Sequence, residues 1–378
     1  MQTTHGKFKR IGHKASILMT SKPLIRPYRP GDDAGINHLF NRVFGLNRSL
    51  DQMRWEFMQG PVSRPECSVV AEDRGEIVGF FGSLFHRIQI DQQEFRTAYG
   101  VDNAIDPRYR GGFRGLQYQM WQKQMELWKR ESIPFALGFP NREAYVVGKR
   151  LLKYRQLAEL EILHKRLNYR LAIQNRLPGL PETMVRAVRR VSTLLFRMNL
   201  TRVSKPASHV FQVDRFPNEI DIFAKEFGKQ YPAMLLRDQA YLNWRYAPEW
   251  GRGYRIWIAR SKDGISGIGV GRILEQEGTS LRLGLIMELA TLPPHDAFHG
   301  LLREMLLSFL KQGADGTLAR LSPYDPTVGR LKAHGFHPRA EIWDRRFAYR
   351  LIRPDRVNTD RVLDVKSWHT TFGDSDSL

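Results

Sequence analysis

Residues 102–116, DNAIDPRYRGGFRGL, constrain this chain more than any other part of its sequence. An apolar strand pattern, a proline step and a turn rich in arginine and glycine lead there directly into a long helical pattern. Glycines let the backbone approach a ligand closely, and the first NH groups of a helix are unpaired and attract anions. This order of elements therefore predicts a phosphate site at the start of a helix.

The helical pattern after the turn is amphipathic, because apolar residues recur at helical spacing on an otherwise polar surface. A glycine-rich turn alone is weak evidence for a ligand site. The strand, the proline, the turn and this helix in succession are much stronger evidence. The apolar positions of the helix are Leu116, Met120, Trp121, Met125, Leu127 and Trp128.

This segment resembles the pyrophosphate loop of the GNAT N-acyltransferase superfamily, which holds acetyl-CoA. The resemblance continues on both sides of the loop, in the family's own order, through residues 24–33, 39–44, 69–79 and 138–154. It implies a mixed α/β fold, with a central β-sheet flanked by helices, and acetyl-CoA or another acyl-CoA as cosubstrate, without a metal. The family's loop usually reads Arg-x-x-Gly-x-Gly, whereas the ungapped match here has Phe113 at the first of those glycines, so either the loop is one residue short or Phe113 replaces a glycine.

The resemblance also implies which residues contact the cofactor. In the family, the backbone of the fourth strand holds the acyl group and the pantetheine, and that strand corresponds here to Asn103, Ala104 and Ile105. A polar residue after the fifth strand also touches the cofactor, and Asn141 has that place. The pyrophosphate lies at the helix start, which corresponds to Arg110, Gly111, Gly112, Phe113, Arg114 and Gly115.

Acyl transfer to an amine needs a base for the amine and an acid for the leaving thiolate. In tandem relatives a tyrosine four residues after the polar residue often supplies the acid, and Tyr145 has that spacing from Asn141. Packing over the core is the alternative for this tyrosine. Asp102, three residues before Ile105, is the candidate base, directly or through water, and an ion pair with an arginine is its alternative. Tyr99 or water alone are the other candidates for the base.

The second half of the chain repeats the first at collinear positions. The matching pairs are 50–57 with 240–246, 77–79 with 265–267, and 161–167 with 341–347. A period of domain size predicts two copies of one α/β unit rather than a solenoid. Trp55 and Trp244 match in this repeat, and we expect both to anchor the core. Residues 292–300 correspond to the pyrophosphate loop but lack arginine, so we expect the second copy to keep the fold without the cofactor.

These patterns predict a chain of five parts. They are a basic tail (1–22), an N-terminal GNAT domain with the acyl-CoA site (23–175), a basic amphipathic bridge (176–208), a degenerate C-terminal GNAT-like domain (209–353) and a C-terminal tail (354–378).

The net charge of +20 implies anionic partners, such as CoA phosphates, a nucleotide-linked sugar, an acidic polymer or anionic lipid. No nucleic-acid-binding motif is present, so we expect no specific nucleic acid. Cys67 is the only cysteine, which suits a reducing cytoplasm. The longest apolar stretch, 77–85, is too short to cross a bilayer, so we expect a cytoplasmic protein that is soluble or at most peripheral to the membrane.

The bridge contains an amphipathic helical pattern with two interpretations. Such a helix can lie on an anionic membrane. Alternatively, it packs its apolar side on the two domains and leaves its arginines in solvent, which is the interpretation we favour. The apolar residues are Val188, Val191, Leu195 and Met198, and the basic ones are Arg186, Arg189, Arg190 and Arg197.

The sequence thus predicts an acyl-CoA-dependent N-acyltransferase, most simply an acetyltransferase. The acceptor is an amine that the sequence does not identify. An amino sugar or its nucleotide-linked form suits the basic surface, and an amine drug, a peptide or a lipid-linked intermediate are alternatives. Two other functions stay open: aminoacyl or peptidyl transfer of the tandem-GNAT type, and a non-catalytic scaffold that binds polyanions or a membrane surface. The oligomeric state is also open.

Overall fold

A computed structural model of the chain confirms the mixed α/β fold, with two mixed sheets flanked by helices. It describes residues 22–111, 115–177, 179–202, 209–246, 253–275, 281–339 and 345–375.

In the described residues nine strands form the first sheet. Its main path follows the order β1-β2-β3-β4-β5-β15-β6, and two short strands, β9 and β16, extend it beside β3. The strands are β1 (Leu24–Pro27), β2 (Val69–Asp73), β3 (Glu76–Ile90), β4 (Gln93–Ile105), β5 (Phe135–Gly138), β6 (Arg155–Glu159), β9 (Ala233–Leu235), β15 (Arg346–Leu351) and β16 (Trp368–His369).

Seven strands within the same described ranges form the second sheet, in the order β14-β7-β13-β12-β11-β10-β8. They are β7 (Glu161–Arg166), β8 (His209–Val213), β10 (Arg255–Ser261), β11 (Gly264–Glu275), β12 (Arg282–Thr291), β13 (Gly316–Leu321) and β14 (His337–Pro338). In both sheets a long antiparallel hairpin, β3–β4 or β11–β12, is followed by a helix and by one parallel strand, β5 or β13.

The helices follow the same order in the two halves of the chain. α3 buries the apolar stripe that its sequence predicts, with Trp128 fully buried. The helices are α1 (Asp33–Phe44), α2 (Leu50–Met58), α3 (Leu116–Arg130), α4 (Arg142–Leu151), α5 (Arg170–Arg176), α6 (Glu182–Arg202), α7 (Ile220–Gly228), α8 (Gln239–Tyr246), α9 (Ala297–Lys311), α10 (Pro326–Ala333) and α11 (Thr359–Leu363). None of the helices in the described part of the chain is both long and apolar enough to span a membrane.

The two sheets exchange one strand. β15, from the second half of the chain, lies between β5 and β6 of the first sheet. β7, from the first half, lies between β13 and β14 of the second sheet. Each half therefore completes the other's sheet, and the boundaries drawn from the sequence at residues 175 and 209 remain predictions.

The described part of the C-terminal segment, which the sequence suggests is a tail, packs into the interior. Trp368 and Phe372 are almost completely buried, and β16 pairs in parallel with β9. Trp368 also packs edge-on against Phe135 of β5. These contacts join the C-terminal segment to the first sheet.

Candidate active site

The candidate site is a cavity of about 880 Å³ beside the point where β4 and β5 separate. The two strands pair in parallel only at Ala98–Ala136 and Tyr99–Leu137. β4 then continues to Ile105 without β5 beside it. This divergence, the splay of β4 and β5, leaves one edge of β4 open to a ligand.

The cavity brings together several of the residues selected from the sequence. Tyr99, the second candidate base, lines its wall at the last paired position of β4. Four of the primary candidates line it as well, namely Asp102, Asn103, Asn141 and Tyr145.

The remaining predicted cofactor residues are placed differently. The side chains of Ala104 and Ile105 are buried, so only their backbone is left for ligand contacts. Arg110 donates from Nε to the carbonyl oxygen of Ile105 at 2.8 Å, which ties the start of the loop to the end of β4. Gly112, Phe113 and Arg114 lie outside the described residues.

The start of α3 has the local features of an anion site. The helix begins at Leu116, as predicted, and its N-cap is Gly115, which has no side chain to satisfy the first NH groups. Gly111, on the near side of the loop, has a φ of 133°, a conformation that favours glycine. Unpaired NH groups and the positive end of the helix dipole together attract a phosphate.

Asp102 forms an ion pair with Arg48 at the cavity wall. Its φ of 52° lies in the left-handed region, which is uncommon for a residue other than glycine, asparagine or aspartate. A β-bulge in the pairing of β3 with β4 falls at this point, between Phe80 and Gly82 on the facing strand. The bulge and the ion pair together turn the carboxylate of Asp102 towards the cavity. The ion pair is the alternative that the sequence analysis gave for this aspartate.

Arg48 is itself held by several partners. Its side chain is only 6% exposed, with Nε donating to Asn37 Oδ1 at 3.0 Å and Nη1 to Glu56 Oε2 at 3.2 Å. The guanidinium also lies 3.8 Å above the ring of Phe40. Arg48 therefore joins α1, α2 and β4 behind the carboxylate of Asp102.

Asn141 and Tyr145 lie one turn apart at the start of α4. Asn141 is the N-cap of this helix, and its Oδ1 accepts from the backbone NH of Ala144 at 2.8 Å, which leaves its Nδ2 group to donate to a ligand. Tyr145 is half-buried, and the guanidinium of Arg346 lies 5.2 Å from its ring centroid. Because Arg346 belongs to the exchanged strand β15, the second half of the chain supports this tyrosine.

Sequence reasoning missed several residues of the cavity wall, among them Arg48, Glu56 and Tyr154. Burial raises the pKa of Tyr154, so its hydroxyl stays protonated and is able to donate. Nothing in the local pattern distinguishes Arg48 from the other basic residues. The internal repeat does, because Arg48 precedes Trp55 by seven residues, as Arg237 precedes Trp244.

The second copy contains the same arginine–carboxylate pair. Ile105 pairs with Gly79 across the first hairpin, as Thr291 pairs with Gly267 across the second. Asp102 and Glu288 each lie three residues before those hairpin positions, so the two carboxylates are equivalent. Glu288 accepts from Arg237 Nε at 3.0 Å, and both side chains are fully buried.

In the second copy the C-terminal segment lies against this pair. Arg237 Nη2 donates to Asp374 at 2.9 Å, and Tyr246 donates to the other carboxylate oxygen of Glu288 at 2.8 Å. Thr371 donates its hydroxyl to Glu288 at 3.2 Å. The chain therefore buries in the second copy the place where the first copy has an open cavity.

Residues 292–300 differ from the loop of the first copy, as expected. Asp296 is the N-cap of α9, but its side chain makes no capping hydrogen bond. His295 Nδ1 lies 2.9 Å from Thr291 Oγ1, and His299 Nδ1 lies 3.0 Å from His334 Nε2. The described residues contain no cluster of side chains that could hold a metal ion.

The family model for the acetyltransferase (GNAT) domain matches residues 24–149, which contain β1 to β5 and most of α4. These residues form a GNAT domain. The match covers the cavity and the predicted pyrophosphate loop, whereas the second copy lies beyond it. No curated protein matches the chain in sequence.

Solved structures of acyltransferases share the fold over most of the chain. A probable N-acyltransferase from Enterococcus faecalis aligns with a TM-score of 0.62 at 10% identity, over 88% of this chain and 74% of that one. A GCN5-related N-acetyltransferase from Anabaena variabilis gives 0.58 at 13%, over 91% and 75%. The N-myristoyltransferase of Saccharomyces cerevisiae, with bound myristoyl-CoA, gives 0.53 at 12%, over 88% and 84%. With the family match, these likenesses support acyl transfer from an acyl-CoA as the class of reaction.

Proposed function

We propose that this chain is an N-acyltransferase that transfers an acetyl group from acetyl-CoA to an amine acceptor. The observation that carries the proposal is the cavity at the splay of β4 and β5, which lies in a GNAT domain and has Asp102 and Tyr145 on its wall. An acyl-CoA, when bound, supplies an acyl group activated as a thioester. The acceptor nitrogen forms a bond to the acyl carbon, and the bond from that carbon to sulfur breaks.

The residues present fit such a cosubstrate. The open edge of β4 offers backbone groups of Asn103, Ala104 and Ile105, and the N-terminus of α3 offers unpaired NH groups for a pyrophosphate. Asn141, at the start of α4 on the cavity lining, adds its Nδ2 donor. We therefore assign these groups, with the loop from Arg110 to Gly115, to cofactor binding.

Asp102 is the proposed base. Its carboxylate lines the cavity, and an amine that attacks an acyl group must lose a proton, which a carboxylate oxygen at this position accepts directly or through water. Arg48 acts through Asp102 rather than on the substrate, because its guanidinium holds the carboxylate from behind. We therefore regard Arg48 as a positioning residue.

Tyr145 is the proposed acid. It follows the cofactor-contacting Asn141 by one helical turn, and both residues line the same cavity. Its hydroxyl would donate a proton to the sulfur that leaves as the acyl group is transferred, so that a neutral thiol departs. Tyr99 and Tyr154 are the other hydroxyl groups on the wall.

We propose direct attack by the acceptor rather than a covalent acyl-cysteine. Cys67 is the only cysteine of the chain, and it is buried. Burial raises the pKa of its thiol to about 12, so the reactive thiolate is scarce at neutral pH. A single buried thiol also suits the cytoplasm, which we propose as the location of the protein.

For the acceptor we propose a primary amine such as an amino sugar, free or nucleotide-linked. Glu56 and Asp102 place two carboxylates on the lining of the cavity, both in contact with Arg48. Carboxylate oxygens at these positions can accept hydrogen bonds from an amine. The net charge of +20 on the whole chain suits an acceptor with a phosphate group further from the amine.

The test begins with acetyl-CoA binding, measured by calorimetry on the whole chain. Arg110→Glu places a negative charge at the loop and should weaken binding roughly tenfold or more, the scale of a lost charge-assisted contact. Lys123→Glu is the matched control, because Lys123 lies two turns beyond the start of α3 and forms a surface ion pair with the exposed Glu126. This variant should bind acetyl-CoA normally.

Turnover is then followed by thiol release with a panel of amines that includes amino sugars. Binding of acetyl-CoA with turnover on one of them supports the proposal. If no acyl-CoA binds, the proposal is wrong and the scaffold becomes the better interpretation. If acetyl-CoA binds and only aminoacyl donors are turned over, the chain is an aminoacyl transferase instead.

A further inference from the structure

Helix α6 exposes an apolar stripe to solvent. Five exposed residues form this stripe, and we refer to them as the α6 stripe: Met184, Val191, Leu194, Leu195 and Met198. The exposed fractions of their side chains range from 41% to 58%. They recur at helical spacing, so they form one continuous strip along the helix. Of the fourteen large hydrophobic side chains exposed in the described residues, seven lie between residues 169 and 198. The exposed apolar surface is therefore concentrated on this hairpin of α5 and α6.

This stripe is not the face that packs on the protein. Val185 and Ser192 are buried, and Phe196 packs against the core of the second copy. The expectation that Val191 and Leu195 pack on the domains is therefore wrong, because a neighbouring face of α6 makes that contact. Arg189 also departs from the expectation of arginines in solvent, since it donates to the carbonyl oxygen of Gly313 at 2.8 Å.

Arginines border the stripe. Arg190 lies four residues before Leu194 and Arg197 three residues after it, so both are neighbours of that leucine on the helix surface. Arg186 is exposed nearby, with only a long contact to Glu182 at 3.6 Å. Residues 169–202 contain seven arginines and one acidic residue. The apolar and basic groups therefore lie side by side on the outer surface.

We propose that the α6 stripe and its flanking arginines bind the surface of an anionic membrane. A helix of 21 residues that lies flat can insert its apolar side chains while adjacent arginines contact lipid phosphates. The charge of the arginines favours an anionic membrane over a second copy of the chain as the partner of this surface. A second copy would bring the same arginines together, whereas anionic lipid neutralises them.

Flotation of the full chain with vesicles tests this surface. The chain should float with vesicles of phosphatidylcholine and phosphatidylglycerol, and high salt should reduce the bound fraction. It should not float with phosphatidylcholine alone. The double variant Leu194→Gln, Leu195→Gln should abolish flotation, because it removes two apolar side chains that would insert into the membrane. Both side chains are exposed, so the fold should stay intact. Ile222→Gln, which removes an exposed hydrophobic residue of α7, is the matched control and should float normally.

The basic border has its own variant. Arg186→Gln with Arg190→Gln should weaken partitioning on the order of 30-fold, since each basic residue near such a surface contributes about fivefold. Lys225→Gln with Lys262→Gln removes the same charge from exposed positions elsewhere and should have little effect. Acetyl-CoA affinity should be unchanged in all these variants.

Three results would overturn the proposal. One is the absence of flotation of the unaltered chain with anionic vesicles. Another is an equal loss of vesicle binding in the double variant Lys225→Gln, Lys262→Gln, which would mean that binding depends only on the net charge of the chain. The third is a dimer in analytical ultracentrifugation that the leucine variant converts to a monomer without any change in flotation, because the stripe would then bind a second copy.

Discussion

Trp55 and Trp244 bind each other reciprocally. The indole Nε1 of Trp55 donates to the carbonyl oxygen of Trp244 at 2.8 Å, and the Nε1 of Trp244 donates to the carbonyl oxygen of Trp55 at 3.0 Å. The two residues are 189 positions apart. A contact in which each partner makes the same bond to the other is typical of a two-fold axis between identical subunits. The two copies in this chain therefore meet as the subunits of a dimer would.

The first prediction concerns this contact. Trp55→Phe and Trp244→Phe each remove one NH donor and its hydrogen bond across this contact, which should cost about 1 kcal/mol of unfolding free energy. Urea denaturation measures the loss, and acetyl-CoA affinity should persist. Trp121→Phe is the control, because its Nε1 has no hydrogen-bond partner in the described residues. Equal stability of the control and the two variants would mean that the reciprocal bonds contribute nothing.

The second prediction is that the stability of the fold depends on pH through His86, a residue at the contact between the two copies. His86 is buried with its ring 4.7 Å from that of Tyr99 and 6.1 Å from that of Trp244. Burial, with a smaller effect of Arg245, lowers the pKa of His86 to about 3 from 6.5. Between those values the unfolded chain binds a proton that the folded chain does not, so stability should fall as pH decreases below 6.5.

The size of that effect follows from linkage. One proton corresponds to at most about 1.4 kcal/mol per pH unit, so from pH 7 to pH 5 this histidine should cost about 2 kcal/mol. His86→Gln should lose this part of the slope in urea denaturation, whereas His38→Gln, at an exposed position, should keep it. Identical slopes in the unaltered chain and the His86 variant would contradict the assignment.

Local sequence patterns predict the elements of the site better than the way the copies join. The start of α3 at Leu116 follows from nearby residues, because glycines, a proline and an apolar period act over a few positions. The exchange of β7 and β15 does not follow in this way. A strand has the same local pattern whichever sheet it joins, so the repeat of 161–167 in 341–347, of which 341–344 lie outside the described residues, does not indicate the exchange.

The cavity wall shows the same limit. Arg48 is one of 59 basic residues, and only its contacts with Asn37, Glu56 and Asp102 distinguish it. Those contacts join residues that are up to 54 positions apart. The match between Arg48 and Arg237 in the repeat was the available signal, since both copies keep an arginine seven residues before a tryptophan.

The third prediction concerns Tyr145 as the acid. Tyr145→Phe removes the proton and keeps the ring beside Arg346, so the fold and the affinity for acetyl-CoA should survive. Turnover should fall by roughly 10²-fold, the lower end of what a positioned acid contributes. The assay is thiol release with an acceptor, or slow hydrolysis of acetyl-CoA without one. Full turnover would make Tyr145 a packing residue and assign the acid to Tyr99, Tyr154 or water.

The last prediction separates the proposed base from its positioning residue. Asp102→Asn keeps an oxygen for Arg48 and suits the φ of 52°, since asparagine tolerates this conformation well. The fold should therefore survive, while kcat should fall by roughly 10² to 10⁴-fold with little change in KM for acetyl-CoA. Arg48→Lys keeps the charge but loses the Nε donor to Asn37 and the planar contact with the ring of Phe40, which fix the cation behind Asp102, so kcat should fall by a smaller factor.

Arg237→Lys is the matched control for Arg48→Lys, because it makes the same change at the equivalent position of the second copy. Both variants disturb a buried arginine with two carboxylate partners, so both should lower the unfolding free energy. Only Arg48→Lys should lower kcat, since Arg48 lines the cavity and Arg237 is enclosed by the C-terminal segment. Equal losses of kcat in Arg48→Lys and Arg237→Lys would mean that Arg48 acts through stability alone. Normal turnover in Asp102→Asn would assign the base to Tyr99 or water.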